Sequence, residues 1–188
     1  MDKLFERIRE GRIEMNKGKI TDFEWYNNIG ATIRFNDVVG RHPVFHMAFI
    51  RDMDKDKLTI IGVRWKYDNR IIVINNISEC GTIPTPDMNY VVVSYYNANM
   101  DYKYETFILN ADGSVYKKIE IPNRTHHFNS RDPWDDPTFI QDIRWIDNTK
   151  NGFTMEAVLA GTIGGCWESR LFNPDIGEFG ECTGYGYD

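Results

Sequence analysis

The sequence has no run of eighteen uninterrupted apolar residues, so it offers no candidate transmembrane helix. The stretch 1–20 is charged throughout and lacks the apolar core of a signal peptide, which leads us to expect a cytoplasmic address. Cysteine is scarce. Cys80, Cys166 and Cys182 form an odd set without a CxxC pair, a poor disulfide framework and a poor zinc signature, and all three are expected as reduced thiols. An excess of positive charge is missing too: a net charge of −6 argues against general affinity for a phosphate backbone, where Lys and Arg must replace counterions. The glycine-rich stretch TIGGCWES (162–169) does not have the GxxxxGK[ST] form of a phosphate-binding loop.

What is present is ample apolar material. With 188 residues, 41% hydrophobic and 14% aromatic, the chain can offset the entropy of ordering its backbone and is expected to fold as one domain, 1–188, without a staple. Its acidity is uneven. Residues 101–188 carry 8 Lys/Arg against 15 Asp/Glu, whereas residues 1–100 carry 14 against 13. The second half therefore reads either as ordinary solubility or as an acidic face for a basic partner.

Leu4, Phe5, Ile8 and Ile13 fall mostly on one helical face, so a short amphipathic helix is predicted over 2–13. Beyond residue 20 the pattern changes to short runs rich in Ile, Val, Thr and aromatics, separated by Asn, Asp, Gly and Pro. Strands are predicted at Thr32–Phe35, Val44–Arg51, Leu58–Val63, Arg70–Ile74, Tyr90–Tyr96, Tyr104–Leu109, Val115–Ile121, Ile140–Ile146, Phe153–Leu159, Trp167–Phe172 and Gly177–Cys182, with Asp22–Tyr26 as a further candidate. The expected class is all-β, mainly antiparallel, with one N-terminal helix.

A repeat runs through these strands. AFIRDMDKDKLTI (48–60) aligns without gaps on TFILNADGSVYKK (106–118) at an offset of 58, and SRLFNPDIGEFGE (169–181) follows at an offset of 63. In each copy an apolar strand ends at Asp or Asn, a second Asp stands two residues on, and an apolar residue starts the return, the chemistry of a hairpin. Tyr90–Tyr96 lands on Phe153–Leu159 at the same offset of 63. Modules at about 20–64, 65–122 and 136–184 result. Such units resemble the blades of a β-propeller, although three are fewer than a closed propeller uses. The resemblance implies a partial propeller-like stack, or a β-sandwich made from the same hairpins.

The longest connector, 122–137, holds three prolines and the densest polar cluster: His126, His127, Asp132, Asp135 and Asp136, with Trp134 among them. Imidazole with carboxylate suits a transition metal, but adjacent histidines in an irregular loop diverge, so no tightly bound metal is expected and no cofactor is implied. Asp52, Asp54 and Asp56 imitate the start of a calcium loop, yet Lys57 and Val63 occupy the positions that need Gly and Glu. A Cys-His nucleophile would have to combine Cys80 or Cys166 with His126 or His42, without a supporting motif. Tyrosines such as Tyr185 and Tyr187 lie beside acidic residues rather than in a basic groove, which suits a protein interface better than a single strand of nucleic acid.

The residues therefore point to a non-catalytic protein-binding protein acting on a protein partner, a basic one on the charge argument, and not on nucleic acid or membrane. The binding set is Trp134, Asp132, Asp135, Asp136, His126 and His127, with Trp134 as anchor; the structural alternative turns Trp134 inward in a solvated loop. Small acidic cytosolic immunity proteins that neutralise toxins have this general character. An assembly or accessory subunit is the alternative, and a hydrolase or metal enzyme built on His126–Asp136 ranks behind both. The sequence leaves the oligomeric state open.

Overall fold

The computed structural model describes residues 19–35, 60–77, 81–96, 104–126, 138–148, 152–161 and 165–187. The helix expected over 2–13, the strand at Val44–Arg51 and nearly all of the first hairpin copy, 48–60, lie outside the described residues, as do His127, Asp132, Trp134, Asp135 and Asp136.

The fold is almost all antiparallel β, in three open four-stranded sheets consistent with a sandwich-like architecture. The first sheet contains β1 (Thr21–Asn27), β2 (Thr32–Arg34), β3 (Ile60–Tyr67) and β4 (Arg70–Asn75), in the order β2-β1-β3-β4. The second contains β5 (Ile83–Pro84), β6 (Tyr90–Tyr96), β7 (Tyr104–Asn110) and β8 (Val115–Lys118), side by side in chain order. The third is a meander of β9 (Thr138–Asn148), β10 (Gly152–Gly161), β11 (Cys166–Asn173) and β12 (Glu178–Tyr187). Among the described residues no helix is long and apolar enough to cross a membrane.

The three sheets share one core, into which the first and third sheets turn alternate residues while β6 and β7 of the second bury neighbouring positions on both faces, as at Val91, Val92, Ile108 and Leu109. Phe23, Trp25, Val63 and Trp65 from the first sheet, Val91, Val93, Ile108 and Leu109 from the second, and Ile143, Trp145, Met155, Ala157 and Leu159 from the third form one buried cluster. Three tryptophans tie the sheets together, because a buried indole N–H must find an acceptor. Trp25 Nε1 donates to the Thr82 carbonyl (3.0 Å), Trp65 Nε1 to the Ala111 carbonyl (2.7 Å) and Trp145 Nε1 to the Pro84 carbonyl (2.8 Å). Strand β5 lies outside every strand expected from the sequence. Pro84 argues against a central strand but is accommodated at the sheet's edge, where it pairs only with β6.

The offset of 63 has a structural counterpart at the level of strands. It carries β6, β7 and β8 onto β10, β11 and β12, the second, third and fourth strands of their sheets. The turns do not match. In the β7–β8 turn Gly113 holds φ +86° and donates to the Asn110 carbonyl (2.9 Å), while the Ser114 N–H bonds Asp112 Oδ1 (2.9 Å). In the β11–β12 turn the left-handed residue is Gly177, φ +64°, which aligns with Ser114 instead; it donates to the Asn173 carbonyl (2.8 Å), and Asn173 Oδ1 accepts from Asp175 N (3.0 Å). Both described copies are hairpins, as expected, but their aligned Asn and Asp residues cap the turns through different bonds. Strand β3 also crosses the expected 64/65 module boundary, and the first sheet runs on to Asn75.

Candidate functional site

Glu168 lies in the middle of β11, on the face that carries Phe172 into the core, and its side chain is fully buried. A carboxylate there must be paired and fully hydrogen-bonded to remain charged. Five donors meet it. Its Oε2 accepts from Thr125 N (2.8 Å), Thr125 Oγ1 (3.0 Å), His126 N (3.0 Å) and His126 Nδ1 (2.9 Å), and its Oε1 accepts from Arg170 Nε. Burial favours the neutral acid, but the bonds from His126, Arg170 and Thr125 outweigh it and hold the pKa at about 2. The group is ionised at neutral pH, and the Nδ1 of His126 must donate to it.

The bonds fasten the segment 124–126 across β11. Arg124, itself buried, adds a bond from Nη1 to the Cys166 carbonyl (3.1 Å), and Arg170 Nη2 reaches Thr125 Oγ1 (3.2 Å). On the neighbouring edge strand, Tyr185 is opposite Glu168 and Cys182 is opposite Arg170. Register shifts flank Arg170 on both sides, and irregularities of this kind re-aim side chains. The His126 ring consequently lies on Tyr185, with centroids 4.1 Å apart and planes 10° from parallel, and Cys182 Sγ comes within 3.9 Å of His126 Nδ1. Tyr185 remains about half exposed, at 54%.

Of the residues expected to form a site, the described part of the structure positions His126 alone. It brings to it Glu168, Cys182, Arg170 and Tyr185, none of which the sequence pattern joined to the loop, although Tyr185 was separately an interface candidate. The cysteine near His126 is Cys182, not the Cys166 considered for a nucleophile; Cys166 is buried. The geometry does not form a nucleophile–base–acid relay. Such a relay needs the thiol on one imidazole nitrogen and the acid on the other. Here both approach Nδ1.

A second polar cluster lies on the opposite face of the third sheet. Glu156, buried on β10, pairs with Arg144 through Nε (2.7 Å) and accepts from Thr183 Oγ1 (2.5 Å). Nearby on β9, burial pushes the Asp142 carboxyl up to about 7, with Arg144 and the Ile143 backbone N–H opposing the shift and Glu156 adding to it.

No protein-family model and no curated protein matches the chain. A chain in a solved structure described as "Structure of Tne2 in complex with Tni2" has a similar fold, with a TM-score of 0.60 at 10% identity, covering 90% of this chain and 99% of that one. At this identity the likeness is one of fold.

Proposed function

We propose that this chain is a non-catalytic protein-binding protein of the cytosolic immunity type, which neutralises a basic toxin by covering it. The observation that carries this reading is the His126–Tyr185 stack, held at the surface by a buried, fully hydrogen-bonded Glu168. A half-exposed aromatic fixed in place before a partner arrives contributes contact area at little entropic cost, the property of an interface anchor. The stack stands at the root of the 122–137 loop, whose sequence carries Asp132, Trp134, Asp135 and Asp136, the acidic and aromatic residues that this reading assigns to the interface. Two further points support the reading: the acidic second half of the sequence, and likeness in fold to a chain from a complex of two different proteins.

The test is binding of the purified chain to the purified product of the adjoining gene, followed by surface plasmon resonance of variants. A stoichiometric complex is expected. Reversing Asp132, Asp135 and Asp136 to Lys should slow association and flatten its salt dependence, since charge complementarity chiefly sets encounter rates. Tyr185→Ala should speed dissociation, at a cost of roughly 2 kcal/mol for a true anchor. A complex whose rates neither change alters would place the interface elsewhere; a hydrolytic activity lost with His126→Ala would replace binding by catalysis.

A further inference from the structure

Three donor atoms from separated parts of the chain converge beside the stack. An imidazole nitrogen of His126, a carboxylate oxygen of Glu168 and Sγ of Cys182 all lie within 4.8 Å of one another. Two of the approaches run through His126 Nδ1, at 2.9 Å to Glu168 Oε2 and 3.9 Å to Cys182 Sγ. Ligand bonds of about 2.0–2.3 Å at tetrahedral angles put neighbouring donors roughly 3.3–3.6 Å apart, so these two spacings lie within about half an ångström of two edges of such a tetrahedron.

We propose that His126, Glu168 and Cys182 form a three-ligand site for a divalent transition metal of the zinc class, with its fourth position open to solvent. The proposal goes beyond the protein-binding reading and does not rest on it. Sulfur with imidazole selects against calcium and magnesium, which take oxygen, and a single carboxylate oxygen completes a set suited to zinc. Openness follows from the His126 side chain, which is 37% exposed, whereas Glu168 is wholly enclosed. The surroundings already orient the ligands as metal sites require. Arg170 engages Oε1, the Thr125 and His126 donors hold Oε2 beside the imidazole, and Tyr185 fixes the ring plane.

For a metal ion M²⁺ to take Nδ1 as a ligand, the imidazole must carry its proton on Nε2, and the Cys182 thiol must give up its own, leaving a neutral imidazole, a thiolate and an unchanged carboxylate. The thiol proton leaves for each metal bound, so affinity must rise with pH. The earlier expectation of no metal rested on His126 and His127 as ligands and on the lack of a supporting cysteine; folding provides Cys182 from the last strand.

The test is titration of the reduced, purified full chain with Co²⁺, a spectroscopic substitute, and competition by Zn²⁺. One equivalent should bind with the intense visible absorption of tetrahedral cobalt and a near-ultraviolet thiolate-to-cobalt band. Cys182→Ser should abolish the thiolate band and weaken binding at least about tenfold, the scale of losing one ligand or its support. His126→Gln should also weaken binding. Zn²⁺ should slow iodoacetamide labelling of Cys182 in the unaltered protein, as read by peptide mass spectrometry, which keeps the test decisive if a variant fails to fold. Absence of saturable Co²⁺ binding, a thiolate band that survives in folded Cys182→Ser, or labelling of Cys182 that Zn²⁺ does not slow would each overturn the site.

Discussion

The imidazole of His126 lies flat on the phenol ring of Tyr185, 4.1 Å from centroid to centroid. Stacking of two half-exposed rings is weak by itself, and the geometry is maintained from below by the bond between His126 Nδ1 and Glu168 Oε2. Glu168 links the 124–126 segment, β11 and, through Arg170, the cross-strand neighbourhood of Cys182.

Glu168→Gln should therefore loosen the segment and lower stability together. The amide keeps the shape but cannot accept five donors, and it leaves Arg170 without its buried counter-ion. A loss of about 3 kcal/mol is expected, the lower end of what breaking a buried ion pair costs. Urea denaturation measures it, and hydrogen exchange should quicken at the Thr125 and His126 amides. A loss below about 0.5 kcal/mol would show that the network is an exposed-type interaction of little worth.

The same carboxylate sets an acid limb. Its pKa is lowered from the ordinary 4.5 to about 2 in the fold. A depressed acid contributes stability that is fully present above its unfolded value and is lost as pH falls. Stability should thus decline from about pH 4.5 toward about pH 2, and Glu168→Gln should reduce that slope. Equal slopes for the two proteins between these limits would contradict the assignment.

Much of the fold was legible because strands and turns are written locally. Runs rich in β-branched and aromatic residues marked Tyr90–Tyr96 to the residue, and β7, β10 and β11 within two residues at each end. The turn residues were legible as turn formers but not as copies. Asn110 and Asn173 occupy aligned positions, yet the left-handed glycine falls one residue later in the second turn, a choice made by the pairing of the whole hairpin. Pro84 hid β5, since a proline inside a run reads as a break unless the strand is already known to lie at an edge.

The site was legible only at His126. Glu168 is separated from it by 42 residues and Cys182 by 56, and nothing local distinguishes a glutamate in mid-strand that will be buried from one facing solvent. The register shifts around Arg170 that set Cys182 opposite it belong to the pairing of β11 with β12, which neither strand's own sequence displays. One signal was available: Glu168 alternates with Cys166, Arg170 and Phe172 on a single strand face, so burial of Phe172 commits Glu168 to the same side.

The tryptophan bonds between sheets lead to a packing prediction. Trp65→Phe retains an aromatic ring against Phe23 but removes the donor to the Ala111 carbonyl and leaves a void beside the β7–β8 turn. A loss of about 2 kcal/mol is expected from the lost bond and cavity combined. Thermal denaturation checks the size, and amide exchange around Ala111 checks the place. A stable variant with unaltered exchange there would mean that the indole bond does not secure the second sheet to the first.

Asp142 has the opposite pH sign to Glu168. Its Oδ1 is buried and has no hydrogen-bond partner among the described residues, and burial raises the carboxyl from its ordinary 3.8 to about 7. An acid with a raised folded pKa is easier to ionise once unfolded, so its contribution is fully present below about pH 3.8 and is lost as pH climbs through 7. Above that, an ionised Asp142 faces the paired Glu156 with Arg144 already engaged, and repulsion adds to the cost of burying the charge. Asp142→Asn keeps the size and polarity while removing the titration. The variant should be more stable than the natural protein at about pH 8 and should lose this advantage at about pH 4, where the native carboxyl is neutral. Urea midpoints of both proteins at the two pH values make the comparison. An advantage that persists unchanged at about pH 4 would show that the amide gains a hydrogen bond the acid lacks, and a variant less stable at both would show that the carboxylate is charged and paired in the fold.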